Sequence, residues 1–239
     1  MLQSPRLDQN PSPRPSIEAS HPLAAMFRDF VGQLAYPCLG AKAALHRDGL
    51  RFLIARDVRS GADDERILLA LVDHAERACL YQSAVVLFER GAKISEAQFE
   101  RALWARLQAL ADLDEARGHA PDPRVSSDPE DPHFAVSFGG HAFFVIGLHP
   151  RSSRRGRRFG APALVFNLHD QFVRLRDDGR YQALRAAIIQ RDRAFSGSVN
   201  PMLAEHGTAS AARQYSGRMV GDRWRCPFRR TGRTTRPTS

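Results

Sequence analysis

Two apolar runs in this chain end in histidine, and each imidazole could be offered to a metal. AFFVIGL (142–148) stops at His149-Pro150, and ALVFNL (163–168) stops at His169. A neutral imidazole at a strand end is held rigidly and is a good iron ligand. The plainer role for such a residue is a hydrogen bond to the loop that follows. His141, between FAVSF and AFFVIGL, falls in a turn and is expected to face solvent. Asp170 beside His169 could complete a two-histidine, one-carboxylate iron or zinc site, although adjacency is not the spacing of common motifs. Cys226 in RCPF lies between arginines that would favour a thiolate, and a Cys-Pro can ligate haem iron. A semi-buried structural thiol is the plainer reading for it and for Cys38.

Directly after His149-Pro150 come Arg151, Arg154, Arg155, Arg157 and Arg158, with Ser152 and Ser153 among them. Guanidinium forks and hydroxyl groups suit carboxylates or phosphates. A run this dense cannot be buried unpaired, so a solvated loop accounts for most of it. The charge is uneven on a larger scale too. Residues 1–150 carry 16 basic and 20 acidic side chains, a balance of −4, and residues 151–239 carry 19 and 6, a balance of +13. An anionic partner for the C-terminal part follows, and nucleic acid is one such partner. Yet no helix-turn-helix, RRM or zinc-finger pattern is present, and aromatic residues are not interleaved with the basic run as stacking platforms would be. Arginine outnumbers lysine 33 to 2, so the choice of arginine at any one position carries little weight.

The elements that must position these residues are mixed without regular alternation. LRFLIAR (50–56), SAVVLFE (83–89), FAVSF (134–138), AFFVIGL and ALVFNL read as strands, with Gly139-Gly140-His141 closing a hairpin. LAAMFRDFVGQL (23–34), a small-residue segment after Gly40, residues 63–79 and residues 181–195 read as helices. Ser95 with Gln98 forms a capping box before a helix that ends at Gly118. The expected class is α+β, a single domain with a mixed, mostly antiparallel sheet packed with helices. Residues 1–21, rich in Pro and Ser, read as a disordered leader, residues 22–228 as the domain and residues 229–239 as a disordered tail. No apolar run approaches the roughly eighteen residues of a membrane span, so no membrane partner is expected. Cys38, Cys79 and Cys226 form no zinc or disulfide pattern, which points to a cytoplasmic location. Walker, GxGxxG, GxSxG and HExxH motifs are absent, which leaves hydrolase and NTPase readings without support.

Four ordered blocks resemble the YqcI/YcgG family: YPCLGAKAAL (36–45), FFVIGLHPRSSRRGRRFGAPALVFNLHDQFVRLR (143–176), RDRAFSGSVNPMLAEHGTASAARQYSGR (191–218) and WRCPF (224–228). The likeness runs from about Phe27 to Phe228. Relatives of understood function are haem-dependent N-hydroxylases that oxidise the guanidino nitrogen of arginine or an arginine-derived amino acid in guanitoxin and D-cycloserine biosynthesis. The resemblance implies haem b as cofactor, an amine or guanidine substrate, an external electron donor and a homodimer. It implies an iron ligand among the histidines of the second block, His149 first and His169 as the alternative, with Cys226 behind them. Arg154 and Arg158 are expected to hold the propionates, and Arg213, Tyr215, Arg218 and Glu205 to serve the substrate. A haem or small-ligand binding protein without turnover is the alternative. Two positions depart from the family pattern: Leu168 stands where a proline commonly precedes the second histidine, and Ala211 where the family carries an acid.

Overall fold

The computed structural model describes residues 19–77, 80–202 and 208–230, so the expectations for most of the leader and tail, and Glu205 and Cys79, lie outside the described residues. The elements are α1 (Pro22–Gly32), α2 (Leu39–His46), β1 (Leu50–Asp57), α3 (Asp64–Arg77), β2 (Ser83–Arg90), α4 (Glu96–Ala116), β3 (Val136–Phe138), β4 (His141–Leu148), β5 (Ala163–Leu168), α5 (His169–Asp177), α6 (Tyr181–Ser196) and α7 (Ala212–Tyr215). A 3-10 turn at Arg155–Arg157 interrupts the loop between β4 and β5. The strands form one sheet in the order β1-β2-β5-β4-β3. Only β1 and β2 are parallel, with α3 as the crossover between them; the other three pairings are antiparallel. This is the mixed α+β domain the residue pattern implies.

The pleat of the sheet sorts its side chains into two layers, because successive residues of a strand face opposite ways. Leu53, Val86, Val145, Leu164 and Phe166 join the core formed with α3 and α4. Phe52, Val85, Ile146, Leu148 and Val165 join a second core on the opposite face, together with Phe27 and Val31 of α1. Ser83 to Phe88 of β2 are buried without a break, as expected of a strand covered on both faces. The β3–β4 hairpin turns on Gly139 (φ 58°) and Gly140 (φ 79°), the two left-handed residues that a type I′ turn requires.

Helix α4 is the spine of the first layer. Its capping box is formed: Gln98 N donates to Ser95 Oγ at 3.2 Å and Ser95 N to Gln98 Oε1 at 2.8 Å. Three buried charges along it are each matched. Glu100 accepts from Arg218 Nε at 2.8 Å, Arg106 donates to Asp64 at 2.9 Å, and Asp114 accepts from Arg230 at 3.1 Å. Asp114 is fully buried and also accepts from the Gly139 amide at 2.8 Å, with His119 Nδ1 at 2.8 Å. Hydrogen bonds to this layer continue past Phe228. Arg229 N donates to Gln108 Oε1 at 2.8 Å, and Arg230 Nη1 to the Ser137 carbonyl at 2.7 Å. Among the described residues no helix is long and apolar enough to cross a membrane.

Removing one partner of a buried ion pair leaves the other uncompensated, which costs about 3–5 kcal/mol. Asp114→Ala should lower the urea midpoint by a corresponding amount at an unchanged slope, read from equilibrium unfolding followed by circular dichroism.

Candidate functional site

The second face of the sheet does not close completely. A cavity of about 360 Å³ lies between it and helices α5 and α6, within the roughly 300–1,000 Å³ usual for ligand sites. Ile146, Leu148 and Val165 come from the sheet, and Leu184, Ile188 and Ile189 from α6. The register decides which polar groups join them. Phe144 pairs with Asn167, Ile146 with Val165 and Leu148 with Ala163. The even residues of β4 and the odd residues of β5 therefore share this face, and His169, two residues beyond Asn167, lines the cavity.

His149 has the opposite parity and lies in the other layer. It is 0% exposed, and its ring stacks on Phe99 of α4 with centroids 4.9 Å apart. Nδ1 accepts from Arg151 N at 3.1 Å, so the neutral ring carries its proton on Nε2, which makes no well-formed hydrogen bond among the described residues. Burial depresses its pKa first, with the Arg151 charge acting the same way; the Gly91 backbone and Glu96 oppose them. The first-choice iron ligand is thus a core residue that does not line the cavity. His169 was also expected at the end of a strand, but it is the first residue of α5, a helix the apolar pattern does not reveal.

The arginine run divides into different roles. Arg154 lines the cavity, is buried, and is neutralised by Asp192 at 2.6 Å, with the Ser198 carbonyl at 2.8 Å. Arg158 is excluded from the cavity lining and donates to the Ser152 and Ser153 carbonyls at 2.9 and 3.2 Å. The 3-10 turn between Arg154 and Arg158 removes the helical spacing that would have placed them side by side. The anion that Ser152 and Ser153 bind is internal: both hydroxyls and the Ser153 amide donate to Glu96 at the start of α4. Arg157 reaches the cavity instead, with two further guanidinium groups on its helical wall. Arg176 lies over the Tyr181 ring at 5.6 Å, and Arg185 makes no ion pair or hydrogen bond among the described residues.

Of the residues expected to serve substrate, Glu205 lies outside the described residues, and Arg213, Tyr215 and Arg218 do not line the cavity. Arg218 pairs with Glu100, and Arg213 donates to the Gly221 carbonyl at 2.9 Å. Tyr215 is fully buried against Trp104 and donates to the Phe143 carbonyl at 3.1 Å. Cys226 is buried in the α4 layer, and burial pushes its pKa up to about 12, so it is a thiol rather than a thiolate. Asp170 pairs with Arg124 at 2.6 Å. Ala211 does line the cavity, so the position where the family pattern carries an acid presents a methyl group there.

A family model, described as the YqcI/YcgG family, matches residues 27–229. The chain belongs to the YqcI/YcgG family. A protein of Bacillus subtilis (strain 168), named Uncharacterized protein YcgG, is 27% identical over 132 residues, covering 52% of this chain. The chain spans about half the length of that relative, 51%. No solved structure matches. The family match takes in both β4 and β5, and with them every cavity residue named above.

The depressed pKa of His149 makes a pH prediction. The unfolded chain takes up a proton at this residue as pH falls through the ordinary histidine range near 6.5, and the folded chain does so only at lower pH. Its contribution to stability is complete above that range and declines as pH falls. His149→Gln should therefore narrow the difference between urea midpoints at pH 7.5 and pH 5. An unchanged difference would show that the buried neutral ring contributes nothing to it.

Proposed function

We propose that the cavity binds haem b and that the protein is a haem-dependent monooxygenase that N-hydroxylates the guanidino group of arginine or a related amino acid. The observation that carries this reading is the company His169 keeps. It is an imidazole at a strand–helix junction, in an apolar cavity whose helical wall presents Arg176 and Arg185 without acidic partners among the described residues. That donor set suits haem, which takes a nitrogen ligand on its iron and carries two carboxylates that cations can meet. The resemblance of the second block to haem-dependent members of the family points to the same cofactor. When bound, haem would supply oxygen activation at an open coordination position on its iron.

In this reading His169 would hold the iron, and Arg176 and Arg185, rather than Arg154 and Arg158, would hold the propionates. Leu184, Ile188 and Ile189 keep water from the reacting nitrogen. The overall reaction would place one atom of dioxygen into an N–H bond, while the second leaves as water with two electrons from an external donor and two protons from solvent.

A haem or small-ligand binder without turnover is the second reading, and one observation favours it. Asp192 is the one carboxylate lining the cavity among the described residues, and Arg154 and Ser196 already hold it at 2.6 and 2.9 Å. A guanidinium substrate would find no free acid there.

Protein expressed with a haem precursor should show a Soret band, and its absence from well-folded, haem-supplied protein would overturn the cofactor. His169→Ala should abolish or shift the band, while His149→Gln should leave it in place; the reverse pattern would return the iron to His149. Mass spectrometry for a gain of one oxygen in arginine-type amines separates the oxygenase from the binder.

A further inference from the structure

At one end of the cavity the charges do not balance. Arg157 is partly buried, and its guanidinium donates to three carbonyls, those of Gly147 at 3.0 Å, Gln214 at 3.2 Å and Tyr215 at 3.4 Å. No carboxylate lies within ion-pairing distance of it among the described residues. Asp192, the cavity acid among the described residues, is paired with Arg154 at 2.6 Å, so that pair is neutral and among the described residues Arg157 leaves one positive charge over. Carbonyl dipoles soften a desolvated cation without neutralising it. Arginine cannot escape the cost by losing its proton.

Two further donors lie in the field of that charge. Tyr36 is 6% exposed and lines the cavity, and its hydroxyl has no hydrogen-bond partner among the described residues. Burial raises its pKa above the usual phenol range, which keeps the proton in place; Cys38 nearby adds to the rise and Arg157 opposes it. The Cys38 thiol also lines the cavity, and burial pushes its pKa up too. Its Sγ caps α2 by accepting from Ala41 N at 3.4 Å. A fixed cation, a phenol O–H and a thiol S–H thus line the cavity with no anionic acceptor among the three.

We propose that Arg157 and Tyr36, with Cys38 beside them, form a carboxylate subsite at this end of the cavity. Arg157 supplies the charge, Tyr36 a hydrogen bond, and the apolar walls take the carbon chain of the ligand. A carboxylate could arrive on a substrate or as a haem propionate. Assigning it to a substrate rests on the haem reading above, and the subsite itself does not. Arg176 and Arg185 are available for the propionates, which leaves Arg157 for the substrate.

Calorimetric titration of the full chain with hexanoate and with hexanamide tests this. The two probes differ in charge at one end and little else. Hexanoate should bind about tenfold or more tightly than hexanamide, the scale of one hydrogen-bonded charge. Arg157→Lys should erase the preference, because an ammonium cannot keep three carbonyls and a ligand in the same fork. Tyr36→Phe should weaken hexanoate several-fold and leave the melting temperature nearly unchanged, which tests the subsite without disturbing the carbonyl contacts. Equal affinities, no hexanoate binding, or a preference that survives both substitutions overturns the subsite. Hexanoate binding of the same strength in haem-loaded and haem-free protein assigns the carboxylate to a substrate; loss on haem loading overturns that assignment in favour of a propionate. A hexanoate preference in protein that shows no Soret band would sink the haem reading and leave the subsite standing.

Discussion

The pleat of the β4–β5 pair is the constraint on which the rest depends. Because side chains alternate, the pairing of Ile146 with Val165 determines the face of every residue on both strands. A one-residue slip of β4 against β5 would bring Phe143 and Val145 to the cavity face and carry His149 over with them, while His169 at the end of β5 kept its place. Such a slip is opposed from both sides. Phe143, Val145 and Phe166 fill the core against α4, while Ile146, Leu148 and Val165 face the opposite layer. Each of these side chains contributes roughly 1.5–3 kcal/mol by its burial, so the register is held far more firmly than any single hydrogen bond could hold it.

On this scaffold arginine does two unlike jobs. Arg106, Arg154, Arg218 and Arg230 meet buried acids and act as cross-links between distant segments. Arg157 meets only carbonyls and keeps its charge available to the cavity. The excess of positive charge in the C-terminal part is therefore partly internal framework and partly site. Formal net charge does not distinguish a guanidinium that faces an acid from one that faces a void.

The strands, the long helices and their order could be read from apolar periodicity, because each has a buried face that repeats at two or at about 3.6 residues. The short helix α5 could not. HDQFVRLRD sets Phe172 and Leu175 beside the cavity and between charged residues, so they do not stand out as a buried stripe. The opposite parity of the two histidines was within reach. Counting alternate residues back from His149 gives Gly147, Val145 and Phe143, the face that packs on α4. What no local pattern supplies is pairing at long range. Arg154 with Asp192 spans 38 residues and Arg218 with Glu100 spans 118, and these partners decided which arginines remained for the cavity.

That separation bears on how the molecule is made. A chain emerging from the ribosome presents Glu100 and Asp114 on α4 long before their partners exist. Until Arg218 and Arg230 have been synthesised, two carboxylates that end up in the interior have no cation to meet, and the layer over α4 lacks Tyr215, Cys226 and Phe228. The helix can form and the first strands can pair earlier, but burying those acids early would be unfavourable. Completion of the fold is thus deferred until the C-terminal arginines arrive, and α4 waits as a solvated helix in the meantime.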